Sequence, residues 1–210
     1  MYNETHKTRE REIAVKKINL GPSNKFCPQA LFLYGTYKED GTPNFGLFCW
    51  FSYCWDTELC VMACVGGEKL TKDRIRQTKV FSANLVSEPL LKLADHLGTT
   101  EGYSPGKMDI DISFERGKIL NVPVLTESPW TFELEVFNTV ALNDSEIYLC
   151  GIRNTQAAEE LAGDDLSLGE KMRLASPVIW TGSGVGQYFR IDPETIGATG
   201  EMKTRNYNIR

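Results

Sequence analysis

A glycine turn followed by a lysine, a threonine and an arginine is the first group of residues whose types and spacing suggest binding chemistry. The Gly66–Gly67 turn lets the backbone approach a ligand closely, Lys69 supplies a positive charge, and Thr71 supplies a hydroxyl. Residues 70–79 are predicted to form a short helix with Thr71 as its N-cap, and Arg74 lies one helical turn further on. Cations, hydroxyls and free N–H groups at a helix N-terminus together bind phosphate. A capped helix with a solvated basic face explains the same residues.

Cysteines are the second group, because four of the six fall within sixteen residues, at positions 49, 54, 60 and 64. They lie in predicted strands and form no C-x-x-C pair. Buried thiols that behave as small hydrophobic side chains are the favoured interpretation, and a zinc or iron–sulfur site is the alternative.

Hydrolase and dinucleotide chemistry are poorly supported. Of the two histidines, His6 lies in a charged N-terminal segment and His96 in the last turn of a predicted helix, so no catalytic residue is predicted. The glycine-rich run Gly182–Gly186 is followed by strand-like residues, whereas a Rossmann site requires a helix there. We therefore predict a turn between strands at this run.

Most of the elements that position these groups are predicted to be strands. The apolar runs are rich in aromatic and β-branched residues, and strands are predicted over residues 30–38, 45–55, 59–65, 80–86, 123–125, 130–142, 146–153, 176–180 and 187–191. Within the 130–142 strand, Glu133 and Glu135 alternate with apolar residues, which predicts one wet face. A second helix is predicted with Ser87 as its cap, Pro89 in its first turn and Gly98 at its end. The long polar loop 98–113 is a candidate functional loop, and residues 155–170 are predicted to contain a surface helix.

Composition limits the classes of protein that fit. The hydrophobic fraction is 41%, the charged fraction 24% and the net charge −5, which argues against nucleic-acid binding. No apolar run approaches the ~20 residues of a membrane span, and the N-terminus lacks the apolar core of a signal peptide. We expect a cytoplasmic protein with reduced thiols and one domain, residues 24–198, between an N-terminal arm (1–23) and a C-terminal tail (199–210). Antiparallel strands in succession with few helices predict a closed or partly closed barrel.

Several short motifs, in order, resemble those of the flavin reductase-like proteins, which include the flavoredoxins. The resemblance covers residues 24–155 and is carried by Gly41–Asn44, Cys49–Ser52, Lys69, Thr71, Ile75, Phe81–Asn84, Gly102–Lys107, Pro123–Glu127 and Phe132–Gly151. It implies a mainly β fold, an antiparallel Greek-key split β-barrel of the FMN-binding type, and it implies a homodimer with the flavin near the interface.

The same resemblance implies a set of FMN-binding residues. Gly67, Lys69, Thr71 and Arg74 are expected at the phosphate. The residues expected around the ring are Asn44, Phe48, Cys49, Trp50, Phe51, Ser52, Ser82, Ala83, Asn84 and Tyr188. In loop 98–108, a candidate lid, Tyr103 is expected to stack on a nicotinamide and Lys107 to contact a phosphate.

An FMN-dependent flavin reductase that accepts hydride from NAD(P)H is the function that the resemblance implies. A flavoredoxin-like electron-transfer protein that takes electrons from a redox protein, without its own NAD(P)H activity, is the first alternative. A metal-binding or structural barrel is the second. FMN is expected rather than FAD, because the sequence offers one anion site and no second glycine-rich site for an adenylate.

Overall fold

The protein is built mainly from β-strands, in a computed structural model that describes residues 16–182 and 186–199. In chain order the strands are β1 (Gln29–Ala30), β2 (Phe32–Tyr37), β3 (Pro43–Phe48), β4 (Phe51–Trp55), β5 (Leu59–Gly66), β6 (Val80–Leu85), β7 (Phe114–Arg116), β8 (Pro123–Leu125), β9 (Trp130–Ala141), β10 (Ser145–Ala157), β11 (Val178–Thr181) and β12 (Gln187–Arg190). The helices are α1 (Leu70–Thr78), α2 (Leu91–Thr99), α3 (Glu159–Ala162) and α4 (Leu168–Ala175). The prediction of a mainly β, antiparallel chain with few helices is confirmed.

The main sheet curls so that its two edges approach each other. Its order is β3-β2-β6-β9-β10-β5-β4, and each neighbouring pair is antiparallel. Its edges, β3 and β4, are separated in sequence by Cys49 and Trp50 alone. Three residue steps span at most about 11 Å, so the end of β3 and the start of β4 must lie within that distance of each other.

The single strand predicted over residues 45–55 is therefore wrong, because the chain leaves one edge of the sheet and enters the other within it. The apolar sequence contains no turn residue at this point. Tertiary hydrogen bonds hold the break instead: the Tyr34 hydroxyl and the Cys64 N–H both donate to the carbonyl oxygen of Trp50, at 3.4 and 2.9 Å.

Two apolar clusters stabilise the fold, one on each side of the curled sheet. The inner cluster is rich in aromatic rings, such as Tyr34 stacked on Phe48 with centroids 4.6 Å apart. The outer cluster joins β2 and β3 to α2, with Leu33, Phe45 and Leu97 almost fully buried. The groove described below opens where these layers meet, near the link between β3 and β4.

Helices α1 and α2 both begin at a different residue from the one predicted. Lys69, with extended backbone and no side-chain cap, is the N-cap of α1, and Thr71 lies inside the first turn. Helix α2 begins at Leu91 after a turn, has Leu90 as its N-cap and ends at Thr99. Ser87 instead forms a β-bridge with Pro177, and the Leu90 N–H that its side chain would cap donates to the Ser87 carbonyl oxygen at 3.1 Å.

The prediction that Glu133 lies on a solvent-exposed face of β9 is wrong. Its side chain is fully buried, and its carboxylate accepts hydrogen bonds from the backbone N–H groups of residues 118–120 and from Asn154 and Gln156. Burial opposes ionisation, but these donors outweigh it and hold the pKa of Glu133 below its ordinary value. The loop over this face thus uses the carboxylate as an anchor.

The C-terminal part adds a small second sheet, β1-β11-β12. Strand β10 runs four residues past the predicted end at Arg153, so the predicted helical region 155–170 contains a strand end, α3 and the start of α4. The two short strands predicted around the glycine-rich run are confirmed as β11 and β12. Residues 1–15, 183–185 and 200–210, which include most of the predicted arm and tail, lie outside the described residues. None of the described helices is long and apolar enough to cross a bilayer.

Candidate functional site

A groove of about 470 Å³ opens where the two edges of the main sheet meet. One wall comes from the link between β3 and β4 and the end of β5, with Phe48, Cys49, Trp50, Cys64, Gly66 and Gly67 among its residues. The Trp50 ring packs over Gly66, where an added Cβ would lie 3.1 Å from the ring. A side chain at position 66 would therefore require the Trp50 ring to shift by a few tenths of an ångström.

The opposite wall comes from the small C-terminal sheet. Trp180 and Tyr188 face each other across β11 and β12 and both line the groove. Gly186 lies directly against the Trp180 ring, with no room for a Cβ. The Tyr188 hydroxyl donates to Asp95 on α2 at 2.7 Å, and burial together with this hydrogen bond raises the pKa of Tyr188 to about 12. The groove is thus lined by aromatic rings and small residues, which suits a flat apolar ligand.

A narrow pocket of about 30 Å³ adjoins the groove. Leu47, Phe48 and Lys69 line both spaces. The pocket is closed by the first turn of α1, the end of α2 and the loop after it, which contribute Leu70, Thr71, Gly98, Gly102 and Lys107. One ligand can therefore place an apolar part in the groove and a compact polar end in the pocket.

The side chains around this pocket leave hydrogen-bonding capacity unused. The Asn44 amide donates to Thr71 Oγ1 at 3.0 Å and to Thr36 Oγ1 at 3.4 Å. Because Thr71 accepts this bond, its own hydroxyl proton is available to a ligand. Asn44 Oδ1 is buried and has no hydrogen-bond partner within the described chain, which is unusual for a buried polar atom.

Lys107 is the most unusual residue of the pocket. It is 5% exposed, and its ammonium group makes no hydrogen bond or ion pair with any residue that the structure describes. Burial lowers the pKa of Lys107 to about 8; the negative charge of Glu101 opposes this shift, and Lys69 and Lys38 add smaller contributions to it. A buried cation without a partner favours an anion strongly. Lys69, the Thr71 hydroxyl and the N-terminus of α1 add to the same preference.

The structure brings together part of the predicted site. Phe48, Cys49, Trp50, Gly67, Lys69 and Tyr188 line the groove, and Thr71 and Lys107 line the pocket with Phe48 and Lys69. Asn44 lies just behind, bonded to Thr71.

The remaining predicted residues lie elsewhere. Arg74 turns away and donates to the Tyr37 carbonyl oxygen at 2.8 Å and to Glu39 and Gln77. Ser82, Ala83 and Asn84 are fully buried in β6, where Ser82 and Asn84 donate to backbone carbonyl oxygens of neighbouring strands.

Two residues on β4 and one in the loop after α2 also point away from the groove. Phe51 stacks on Phe32 in the core, and exposed Ser52 donates to the Tyr53 carbonyl oxygen. The Tyr103 hydroxyl donates to Asp73 on the other side of α1, which raises the pKa of Tyr103 to about 12.

Several lining residues were not predicted, namely Leu31, Leu47, Cys64, Gly66, Asp144 and Trp180. Gly66 and Trp180 carried a usable signal, since one belongs to the glycine turn and the other precedes the glycine-rich run. Leu47 adjoins Phe48 in sequence and Cys64 lies close to the Gly66–Gly67 turn. Leu31 and Asp144 are distant in sequence, and the tertiary fold alone brings them to the groove.

The cysteines show no sign of metal binding in the described chain. All six are free thiols, and residues 16–182 and 186–199 contain no cluster of three or more potential metal ligands. Burial raises the pKa values of Cys49 and Cys64, the two thiols that line the groove, so both are protonated at neutral pH.

Comparisons with known proteins agree with this geometry. Residues 24–187 match the family model described as flavin reductase like domain. A flavoredoxin from Methanosarcina acetivorans superposes with a TM-score of 0.77 at 19% identity, over 90% of this chain and 97% of that one. An FMN-binding protein from Thermus thermophilus superposes with a TM-score of 0.69 at 17% identity, over 88% and 98% of the two chains.

One curated relative, an uncharacterized protein of Aeropyrum pernix, is 25% identical over 156 residues, which are 73% of this chain. The match spans 59% of that relative's length. The family model covers most of the chain and every residue of the groove and pocket except Tyr188. The chain therefore belongs to the flavin reductase-like family, whose members are flavin-binding proteins of oxidoreductase type.

Proposed function

We propose that this protein binds FMN, with the isoalloxazine ring in the groove and the phosphate in the adjoining pocket. The observation that carries the proposal is the pocket, where the largely buried Lys107, whose ammonium forms no hydrogen bond or ion pair in the described chain, lines the same small space as Lys69 and Thr71. A phosphate monoester supplies the missing negative charge and the acceptors for both ammonium groups and the Thr71 hydroxyl.

The size and closure of the pocket favour FMN over FAD. The pocket holds about 30 Å³ and is closed by α1, α2 and residues 100–102. A terminal phosphate monoester fits such a closed end, whereas the phosphate of FAD continues into a second phosphate and an adenosine. The name of the Thermus structure, an FMN-binding protein, agrees with this choice.

The bound flavin supplies the redox chemistry, and the protein positions it and excludes water. The walls of the groove are aromatic at Trp50, Trp180 and Tyr188. The protonated thiols of Cys49 and Cys64 add uncharged surface to them. Within the described chain, the groove contains no histidine, and we propose no protein nucleophile. Hydride transfer from a nicotinamide needs none, because proximity and orientation supply much of the rate.

NAD(P)H is our proposed electron donor, and a protein donor is the second candidate. One observation favours the second: Tyr103, the predicted stacking partner of a nicotinamide, is bonded to Asp73 on the far side of α1. Anaerobic mixing of the reconstituted protein with NADH and with NADPH separates the two. Bleaching of the oxidised flavin band supports the reductase, and bleaching by dithionite alone supports the electron-transfer protein.

We also propose that the curled sheet is a Greek-key split barrel and that two copies pair as a homodimer. Large side chains on β4 and β5 are exposed, with Trp55 75%, Tyr53 56% and Met62 41% accessible. This apolar surface continues from Trp50 at the groove. A monomer in light scattering at micromolar concentration, with flavin fully bound, contradicts the dimer.

The phosphate assignment is tested by comparing FMN with riboflavin, which lacks the phosphate. The double variant Lys69→Ala, Thr71→Ala should bind FMN more weakly by about a hundredfold or more, since each charge-assisted hydrogen bond is worth roughly 1.5–3 kcal/mol. Its affinity for riboflavin should change little. Equal losses for both ligands, measured by quenching of flavin fluorescence, contradict the assignment.

A further inference from the structure

Three consecutive residues after α2 cross the first turn of α1, and we call them the strap (Glu101–Tyr103). Both carboxylate oxygens of Glu101 lie close to Lys69 Nζ, at 3.2 and 3.3 Å. Gly102 packs so closely on α1 that an added Cβ would lie 2.7 Å from the Leu70 Cβ. The Tyr103 hydroxyl donates to Asp73. The strap is thus fixed to α1 at three successive points, beside the small pocket.

The first of these contacts uses the cation that the proposed phosphate also needs. Glu101 and Lys69 both line the pocket. Their side chains are 64% and 39% exposed, so the ion pair lies in a solvated setting and is weak. A phosphate dianion that enters the pocket meets a carboxylate already paired with Lys69, and the two negative charges repel each other.

We propose that Glu101 is a built-in competitor of the ligand phosphate, which occupies Lys69 in the free protein and is displaced when a phosphate monoester binds. This inference rests on the proposed function. Lys107 is not the direct partner in this exchange, since Glu101 forms its ion pair with Lys69, although the negative charge of Glu101 also opposes the lowering of the Lys107 pKa by burial. Glu101 therefore weakens phosphate binding by the amount needed to break one exposed ion pair and to move its carboxylate away.

The competitor acts on ligands that carry a phosphate and not on those that lack one. Riboflavin occupies the groove alone and leaves the Lys69–Glu101 pair intact. Removing the negative charge of residue 101 should therefore tighten FMN binding and leave riboflavin binding unchanged. A positioning role for Glu101 predicts the reverse for FMN, because loss of the pair would leave Lys69 less ordered.

The experiment compares dissociation constants of FMN and riboflavin for the wild type, Glu101→Gln and a control. The control is Glu127→Gln, which removes the same charge from an exposed carboxylate for which the structure gives no ion pair. We expect Glu101→Gln to bind FMN about threefold to fivefold more tightly. For the control, the dissociation constants of both ligands should stay within about twofold of the wild-type values. In the double variant Lys69→Met, Glu101→Gln, the gain should disappear.

The outcomes separate this inference from the proposed function. Unchanged or weaker FMN binding by Glu101→Gln overturns the competitor. A Lys69→Met variant that loses equal affinity for FMN and riboflavin overturns the phosphate site itself, and the competitor with it. Tighter FMN binding by Glu101→Gln that depends on Lys69 supports both.

Discussion

Replacing Lys107 with methionine should stabilise the ligand-free protein while it removes a ligand contact. Methionine has nearly the same length and fills the same buried space without a charge. The pKa of Lys107 falls from 10.5 to about 8, which corresponds to roughly 3 kcal/mol of unfavourable burial of the charged form. The adjoining pocket has room for water that hydrates the ammonium group, so we expect a gain of about 1–3 kcal/mol in the free energy of unfolding at pH 7.

With saturating FMN, the wild type should become more stable than Lys107→Met. At a ligand concentration of 100 times the dissociation constant, the wild type gains about 2.7 kcal/mol. Lys107→Met should bind FMN too weakly to gain as much. Urea unfolding of both proteins, with and without FMN, measures the two differences, and Lys92→Met, on an exposed residue of α2, is the control. A Lys107→Met protein that is less stable than wild type by 1 kcal/mol or more without ligand refutes the reasoning, because Lys107 would then stabilise the free protein.

Two further predictions concern pH. Free Lys107 loses its proton above about pH 8, whereas a bound phosphate holds the ammonium form, so FMN affinity should fall as pH rises from 8 to 9.5. Riboflavin affinity should stay flat, and parallel falls for both flavins contradict this explanation. Glu133 has a lowered pKa in the folded state, so its contribution is present above its unfolded pKa and is lost as pH falls through the folded value. Glu133→Gln should therefore cost about 3 kcal/mol at pH 7 and progressively less toward pH 3 in urea unfolding, and a pH-independent loss contradicts an ionic role.

The sequence predicted local features better than long-range ones. The strand positions followed from apolar patterning, and the pocket residues Lys69 and Thr71 lie within one turn of each other, so their proximity depends on local structure alone. Lys107 could be proposed through its place in a long polar loop. The burial of Glu133 could not be predicted. Alternation along β9 suggests that this side chain faces solvent, and it is buried because the loop 117–121, which is distant in sequence, covers it.

The prediction that Arg74 binds the phosphate and the prediction of one strand through Trp50 failed for a related reason. Helical spacing places Arg74 near Thr71, but the Tyr37 carbonyl oxygen and two side chains bind it on another face of α1. The chain at Trp50 is apolar on both sides, and the donors that hold the break come from Tyr34 and Cys64. Sequence patterns that describe one element at a time contain no information on such partners.

The two-residue link between β3 and β4 also bears on the order of events in folding. The pairs β2–β3 and β4–β5 are hairpins that form from neighbouring sequence, but Gly35 pairs with Ser82 and Cys60 with Gly151. These distant pairings, through β6, β9 and β10, bring the two hairpins together in the curled sheet. The groove wall at the link between β3 and β4 is therefore completed only when the last of these pairings is made, and β11 and β12 supply the opposite wall. A flavin held there would therefore slow unfolding, since it must be released before the sheet opens, and would leave the refolding rate nearly unchanged.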